Sequence, residues 1–275
     1  TEAVAAGLAD DSLIVVANPE GTTSIGLNRA IRAGSAPVVV RVDGHSELPP
    51  GYVRRAVEVL RETHAGNVGG RQVPVPATPF ESAVATATSS WLGTGGAAYR
   101  TGAVAGPVDT VYLGVFDRAA IESVGLFDGD LIRNQDYELN IRLRDAGHDV
   151  WFDPGLEVGY RPRGSWRALA RQYFQYGMWK AEVLRRHPRS LRLRQLLPPV
   201  AVLGSAAGLV TALRRPPAAA VPLGYGALVA LGAARASRDD EETTWPRVAG
   251  VVVVIHWSWA AGLLAGAVAS RGSVR

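Results

Sequence analysis

Short apolar runs alternate with charged, helix-forming stretches over the first 165 residues. Leu13-Ile14-Val15-Val16, set between Asp10-Asp11 and Asn18-Pro19, predicts a short buried strand, with a helix before it from residue 1 to about residue 7. Residues 24–33 predict a helix stopped by Gly34. Val38-Val39-Val40-Arg41-Val42 then reads as a buried parallel strand that ends in Asp43-Gly44-His45. Residues 52–63 predict a helix with Val53, Val57 and Leu60 on its apolar face. From 71 to 109 the periodicity dissolves into small residues, including Trp91, Gly93, Gly95, Gly96 and Tyr99, which reads as a loop covering a site. Residues 111–116 predict a strand, 136–146 a helix ended by Gly147, and 150–152 a closing strand. Strand and helix in alternation are the signature of a doubly wound α/β sheet.

The pattern changes after Arg163. Residues 166–186 predict a helix that mixes Trp166, Tyr173, Phe174, Tyr176 and Trp179 with Arg167, Arg171, Lys180, Arg185 and Arg186. Aromatic and basic side chains together suit a membrane interface. Residues 196–213, 216–234 and 248–270 hold almost nothing charged, and each is close to the ~20 residues of a bilayer crossing. The first two are less apolar and also fit a re-entrant hairpin. Three buried helices of a soluble domain are the competing reading. The division expected is 1–165 for an α/β catalytic domain, 166–195 for an interfacial helix and 196–275 for a membrane region of about three spans. Arg185, Arg186, Arg189, Arg192 and Arg194 precede the first span, and Arg235, Arg238 and Arg247 precede the third. By the positive-inside rule they place the α/β domain in the cytoplasm of a multi-pass inner-membrane protein, with Arg214, Arg215, Arg271 and Arg275 dissenting.

Composition narrows the chemistry. With no cysteine, disulfides and thiolate metal sites are excluded, so a metal would need carboxylate or imidazole ligands. The net charge of +4 comes from arginine almost alone, since Lys180 is the single lysine, and it is read as a compositional bias without a nucleic-acid partner. In an extended segment residues i and i+2 point the same way, so Asp43 and His45 could share one divalent cation carrying a diphosphate; a bare surface turn is the alternative. Asp136 sits at a predicted helix start, where the macrodipole favours the carboxylate and a sugar hydroxyl could give it a proton; plain N-terminal capping is the alternative. Glu138 and Arg142 form an i,i+4 pair. His64, His148 and His187 are isolated. His256 lies inside the third apolar stretch, where a polar residue is either functional or an anchor near the flanking tryptophans. Trp91 and the Gly93 to Gly96 turn fit an acceptor wall and a packing role equally.

A series of motifs then runs in order along the chain: Asn18-Pro19, Gly26-Leu27-Asn28, Arg41-Val42-Asp43-Gly44-His45, Val68-Gly69-Gly70, Val108-Asp109-Thr110-Val111, Asn134-Gln135-Asp136-Tyr137-Glu138-Leu139-Asn140 and Arg171-Gln172-Tyr173-Phe174-Gln175-Tyr176-Gly177. Together they resemble glycosyltransferase family 2, in particular membrane-anchored exopolysaccharide enzymes of the succinoglycan glucosyltransferase type. The resemblance implies a GT-A fold followed by transmembrane helices, and an inverting transfer of one sugar from a nucleoside-diphosphate sugar, a UDP-sugar first, to a polyprenyl-linked or saccharide acceptor. It implies Asp43 and His45 as ligands of Mg²⁺ or Mn²⁺, and Asp136 as the base. Gln172, Gln175 and Tyr176 fall where processive members carry Gln-x-x-Arg-Trp. The Arg and Trp are replaced here, which favours addition of a single sugar. Family members also begin with two strands, ending near Asn-Glu and Asp-Gly-Ser, that bind the nucleotide. The chain starts just after them, so the expected GT-A domain is N-terminally truncated, and a catalytically inactive membrane scaffold is the alternative function.

Overall fold

A five-stranded mixed sheet forms the centre of the α/β region in the computed structural model, which describes residues 7, 13–44, 46–102, 104–238, 240 and 242–269. Its strands are β1 (Val38–Val40), β2 (Asn67–Pro74), β3 (Gly106–Pro107), β4 (Tyr112–Asp117) and β5 (Val150–Tyr160), in the spatial order β1-β4-β2-β5-β3. Only β2 and β5 run parallel; β1 with β4, β4 with β2, and β3 with β5 are antiparallel. The expected α/β class and GT-A-like, non-barrel sheet are therefore found. The reading of Val38–Val42 as a buried parallel strand is corrected: β1 is a half-buried strand at one edge of the described sheet, antiparallel to its single neighbour.

Helices α1 (Thr23–Ala33), α2 (Tyr52–Thr63), α3 (Pro79–Thr88), α4 (Trp91–Thr94), α5 (Ala98–Thr101), α6 (Arg118–Ser123) and α7 (Gln135–Asp145) cover the sheet and its ends. Because strand side chains alternate, β4 sends Val115 to one core with Tyr52, Val59 and Leu60 of α2, and Phe116 to the other with Ile121 of α6 and Leu139 and Leu143 of α7. The buried face of α2 is Tyr52, Ala56, Val59 and Leu60, while Val53 is exposed, which rotates the expected apolar stripe. β5 also serves both cores, with Phe152 on one side and Leu156 and Val158 on the other. The switch falls at the irregularity around Asp153-Pro154-Gly155, opposite the shift in β2 between Gly69 and Arg71.

Two expectations for this region fail for want of partners or through context. Leu13 to Val16 forms no strand: Leu13, Ile14 and Val15 are exposed, with no ladder neighbour among the described residues. The predicted helix over residues 1–7 lies outside the described residues apart from Gly7. Residues 71–109 hold the end of β2, three helices and β3 in place of a loop. Their small residues are those of a helix packed tightly against others: Ala83, Val84 and Ala87 of α3 are buried against Val248, Val251, Val252 and Ile255.

The C-terminal part consists of α8 (Trp166–Arg186), α9 (Leu193–Ala212), α10 (Ala220–Ala236) and α11 (Trp245–Val268). With a preceding 3₁₀ turn at Pro216–Ala219, α10 joins α9 and α11 as three helices long and apolar enough to cross a membrane. Only 22%, 11% and 39% of their apolar windows are buried in the protein, which is unlike the interior of a soluble bundle. These helices support a multi-pass membrane protein. Helix α8 lies against α11 at backbone distance: a Cβ on Gly262 would strike the Phe174 carbonyl, and one on Gly177 the Trp259 carbonyl. His256 ties α11 to its neighbours, its Nδ1 3.1 Å from the Tyr225 hydroxyl and its Nε2 2.8 Å from the Leu92 carbonyl.

Candidate active site

The segment after β1 is extended, so Arg41 and Asp43 fall on one side of it, two residues apart. The Arg41 guanidinium meets the Asp43 carboxylate with Nε at 3.1 Å and Nη2 at 2.9 Å. Its remaining nitrogen, Nη1, stands 3.3 Å from Oδ1 of Asp136. Two carboxylates from distant parts of the chain thus converge on one cation, whose side chain is 8% exposed and packs over the Phe127 ring. Burial alone would lower the Arg41 pKa, but the charges of Asp136 and Asp43 and its hydrogen bonds to both raise it above the usual arginine value.

Asp136 is the second residue of α7, and its side chain is 46% exposed. The residue before the helix, Asn134, is left-handed with φ +59, a conformation that asparagine tolerates better than most side chains. Its Nδ2 donates to the Tyr176 carbonyl at 3.2 Å, which couples the start of α7 to α8. Glu138 faces inward: its carboxylate is 3% exposed, receives Nε and Nη2 of Arg142 at 2.8 and 2.7 Å, and lies 2.9 Å from His187 Nε2. The pairing expected from the sequence is present, and Arg142 extends it by donating to the Val124 and Leu126 carbonyls.

On α8, Gln172 donates to the Tyr176 hydroxyl at 3.0 Å, as its i,i+4 spacing permits, and Gln175 is half-buried beside them. Burial pushes the Tyr176 and Tyr173 phenols up. The Arg100 guanidinium lies among these rings, donating to the Tyr160 hydroxyl and stacked 4.8 Å from the Tyr160 centroid and 5.5 Å from that of Tyr99. Among the described residues it has no carboxylate partner, and its Nε is buried without a hydrogen bond.

Among the described residues no three carboxylate, imidazole or thiol groups gather into a cage for an ion, and His45 lies outside the described residues. Asp43 by itself is a hard oxygen donor. That chemistry fits Mg²⁺ or Mn²⁺ arriving with a diphosphate, a mode in which one or two carboxylates suffice. Trp91 is 63% exposed. Two residues escaped the sequence reading: Arg41, whose i−2 spacing from Asp43 carried the signal, and Arg100, for which no local pattern exists.

The profile of Glycosyl transferase family 2 matches residues 1–125. The succinoglycan biosynthesis protein ExoA of Rhizobium meliloti (strain 1021) is 33% identical over 263 residues, covering 92% of this chain and 77% of that protein. A dolichyl N-acetyl-alpha-D-glucosaminyl phosphate 3-beta-D-2,3-diacetamido-2,3-dideoxy-beta-D-glucuronosyltransferase of Methanococcus voltae is 34% identical over 79 residues, 28% of this chain and 25% of that one. Among solved structures, the mannosyltransferase PcManGT from Pyrobaculum calidifontis, in complex with GDP-Man and Mn²⁺, shares the fold with a TM-score of 0.58 at 18% identity. That likeness covers 90% of this chain and 66% of the mannosyltransferase. With a mixed GT-A-like sheet, carboxylates gathered at its edge and a relative this similar over nearly the whole chain, the protein belongs to glycosyltransferase family 2 and is a glycosyltransferase.

Proposed function

We propose that this enzyme moves one sugar from a nucleoside-diphosphate sugar, a UDP-sugar first among candidates, to a polyprenyl-linked or saccharide acceptor in exopolysaccharide biosynthesis, inverting the anomeric carbon. The observation that carries the reading is the convergence of Asp43 and Asp136 on Arg41. Asp136 is the base: it is open to solvent, sits in the first turn of α7, and takes the proton of the acceptor hydroxyl. The acceptor oxygen forms its bond to the anomeric carbon as the bond from that carbon to the diphosphate oxygen breaks on the opposite face. Asp43, with His45, would hold Mg²⁺ or Mn²⁺, which supplies positive charge against the departing diphosphate. Gln172, Gln175 and Tyr176 are assigned to the donor side of the site, with Arg100 adding a guanidinium beside the α8 tyrosines, since the arginine of the processive motif is replaced here.

The domain assignment follows the same reading: residues 1–165 for catalysis, 166–195 at the interface and 196–275 in the bilayer, with the α/β domain cytoplasmic at a bacterial inner membrane. The arginines ahead of α9 and α11 support that orientation. The GDP-Man and Mn²⁺ bound to PcManGT support a nucleotide-sugar donor and a divalent ion. Membranes carrying the whole protein, given radiolabelled UDP- and GDP-sugars, are expected to transfer label to a lipid fraction, to stop with EDTA, to recover with Mn²⁺, and to fall silent with Asp43→Asn. Transfer that survives both EDTA and Asp43→Asn would overturn the metal-dependent mechanism.

A further inference from the structure

Away from the candidate active site, a pocket of about 530 Å³ opens where α7, the end of α8 and the start of α9 meet. Arg144 lies eight residues beyond Asp136 on α7, about 12 Å along the helix axis at 1.5 Å per residue. Arg144, Arg186, His187, Arg189 and Arg192 line the pocket, with Asp145 as the one acidic side chain in the lining. Arg186 is engaged by Asp128 and Glu182, and His187 by Glu138. Arg192 reaches Asp109 only at 4.0 Å. Arg144 donates to the Asn140 carbonyl at 3.2 Å, and neither it nor Arg189 pairs with a carboxylate among the described residues. The pocket therefore keeps uncompensated guanidinium charge, and an anion with several acceptor oxygens is the chemistry that answers it.

The surroundings say which anion. Arg192 caps α9, the first membrane-length helix, so the pocket stands at the level where that helix leaves the protein for the bilayer. Immediately beyond it, Leu193, Leu196, Leu197 and Val200 recur at i, i+3, i+4 and i+7 on one helical face, and their exposures are 74%, 37%, 44% and 65%. A basic pocket thus continues into an apolar stripe, matching a molecule with a phosphate head and hydrocarbon tails. The geometry points to a site for the headgroup of an anionic glycerophospholipid, its acyl chains lying along α9. Bound there, the lipid joins Arg144 of the α/β region to Arg189 and Arg192 at the foot of the membrane helix. A zwitterionic lipid carries its own cation beside the phosphate and gains less from the unpaired arginines. The inference stands independently of the transferase mechanism.

Native mass spectrometry of the full protein in detergent, titrated with phosphatidylglycerol and with phosphatidylcholine, tests this. One phosphatidylglycerol is expected to bind in preference to phosphatidylcholine, and the double variant Arg144→Gln/Arg189→Gln to weaken it about tenfold or more. Circular dichroism melting of the variant confirms that the fold survives. The control pair Arg214→Gln/Arg215→Gln, at the far end of α9, is expected to leave binding unchanged. Equal affinity for both lipids, or equal weakening by the control pair, would overturn the site. Complete displacement of the lipid by excess inorganic phosphate would make it a free-anion pocket and overturn the lipid assignment.

Discussion

Asp136 and Glu138 stand two residues apart on α7, each beside an arginine, and their surroundings separate them completely. Glu138 is enclosed, held by two nitrogens of Arg142 and facing His187, so both oxygens of its carboxylate are engaged within the protein. Asp136 touches its arginine at a single longer contact and leaves nearly half of its side chain to solvent. A carboxylate with free lone pairs facing outward can accept a proton from an incoming group; one that is engaged on both oxygens and buried fastens α7 to the loop of Val124 and Leu126 through Arg142. The same motif therefore yields one group for chemistry and one for architecture, and a helix turn of about 100° per residue sets the difference.

Substitutions can break this contrast. The largest effect on stability is expected at Glu138→Ala, which removes the buried carboxylate that accepts two Arg142 nitrogens; losing such charge-assisted hydrogen bonds costs about 1.5–3 kcal/mol and should lower the thermal melt in detergent by several degrees. Asp136→Asn should leave the melt within a degree or two of the parent while lowering the transfer rate about 10²- to 10⁴-fold. An Asp136→Asn protein that melts early, or a Glu138→Ala protein that melts late, would erase the distinction. A smaller loss, about 10- to 100-fold in kcat, is expected for Arg41→Gln, because the guanidinium positions both carboxylates. Arg41→Lys keeps the charge without the fork and should recover part of it.

The smallest expected effect is pH-dependent and lies at Lys180 of α8. Lys180 is 1% exposed, held by the Ser190 carbonyl and hydroxyl at 3.1 Å each and over the Tyr137 ring. Burial lowers its pKa to about 7, with the charge of Asp109 opposing the shift. Between about 7 and the ordinary lysine value of 10.5 the unfolded chain holds a proton that the folded one releases, so this group makes the protein more stable as pH rises through that window and less stable as pH falls toward 7. Lys180→Met should flatten the melting temperature over that range, whereas an unchanged pH slope would remove Lys180 as its cause.

Much of the architecture was legible in the pattern of residues. Helices at 52–63 and 166–186 have the ends that the residue pattern predicts, and the three long apolar helices follow directly from uncharged runs of bilayer length. Such features depend on local preferences and on solvent, and both act through residues close in sequence. The charge contrast between Asp43, Asp136 and their surroundings was also partly readable, since carboxylates at the end of a strand and the start of a helix announce themselves.

Tertiary structure decided what depends on partners. Leu13 to Val16 has strand composition yet finds no ladder among the described residues, and Val38–Val40 runs antiparallel because β4 is its neighbour. The small residues of 79–88 become a buried helix only because α11 lies against them. Arg41 meets Asp43 within its own segment but reaches Asp136 from a distant one, and Arg100 stacks on Tyr160 of β5; neither of these two long-range contacts leaves a trace in local spacing. Local sequence determined which elements could form and which faces could meet water or lipid, whereas pairing, handed-over faces and the charge on each carboxylate's doorstep are long-range quantities that exist only once the chain has closed on itself.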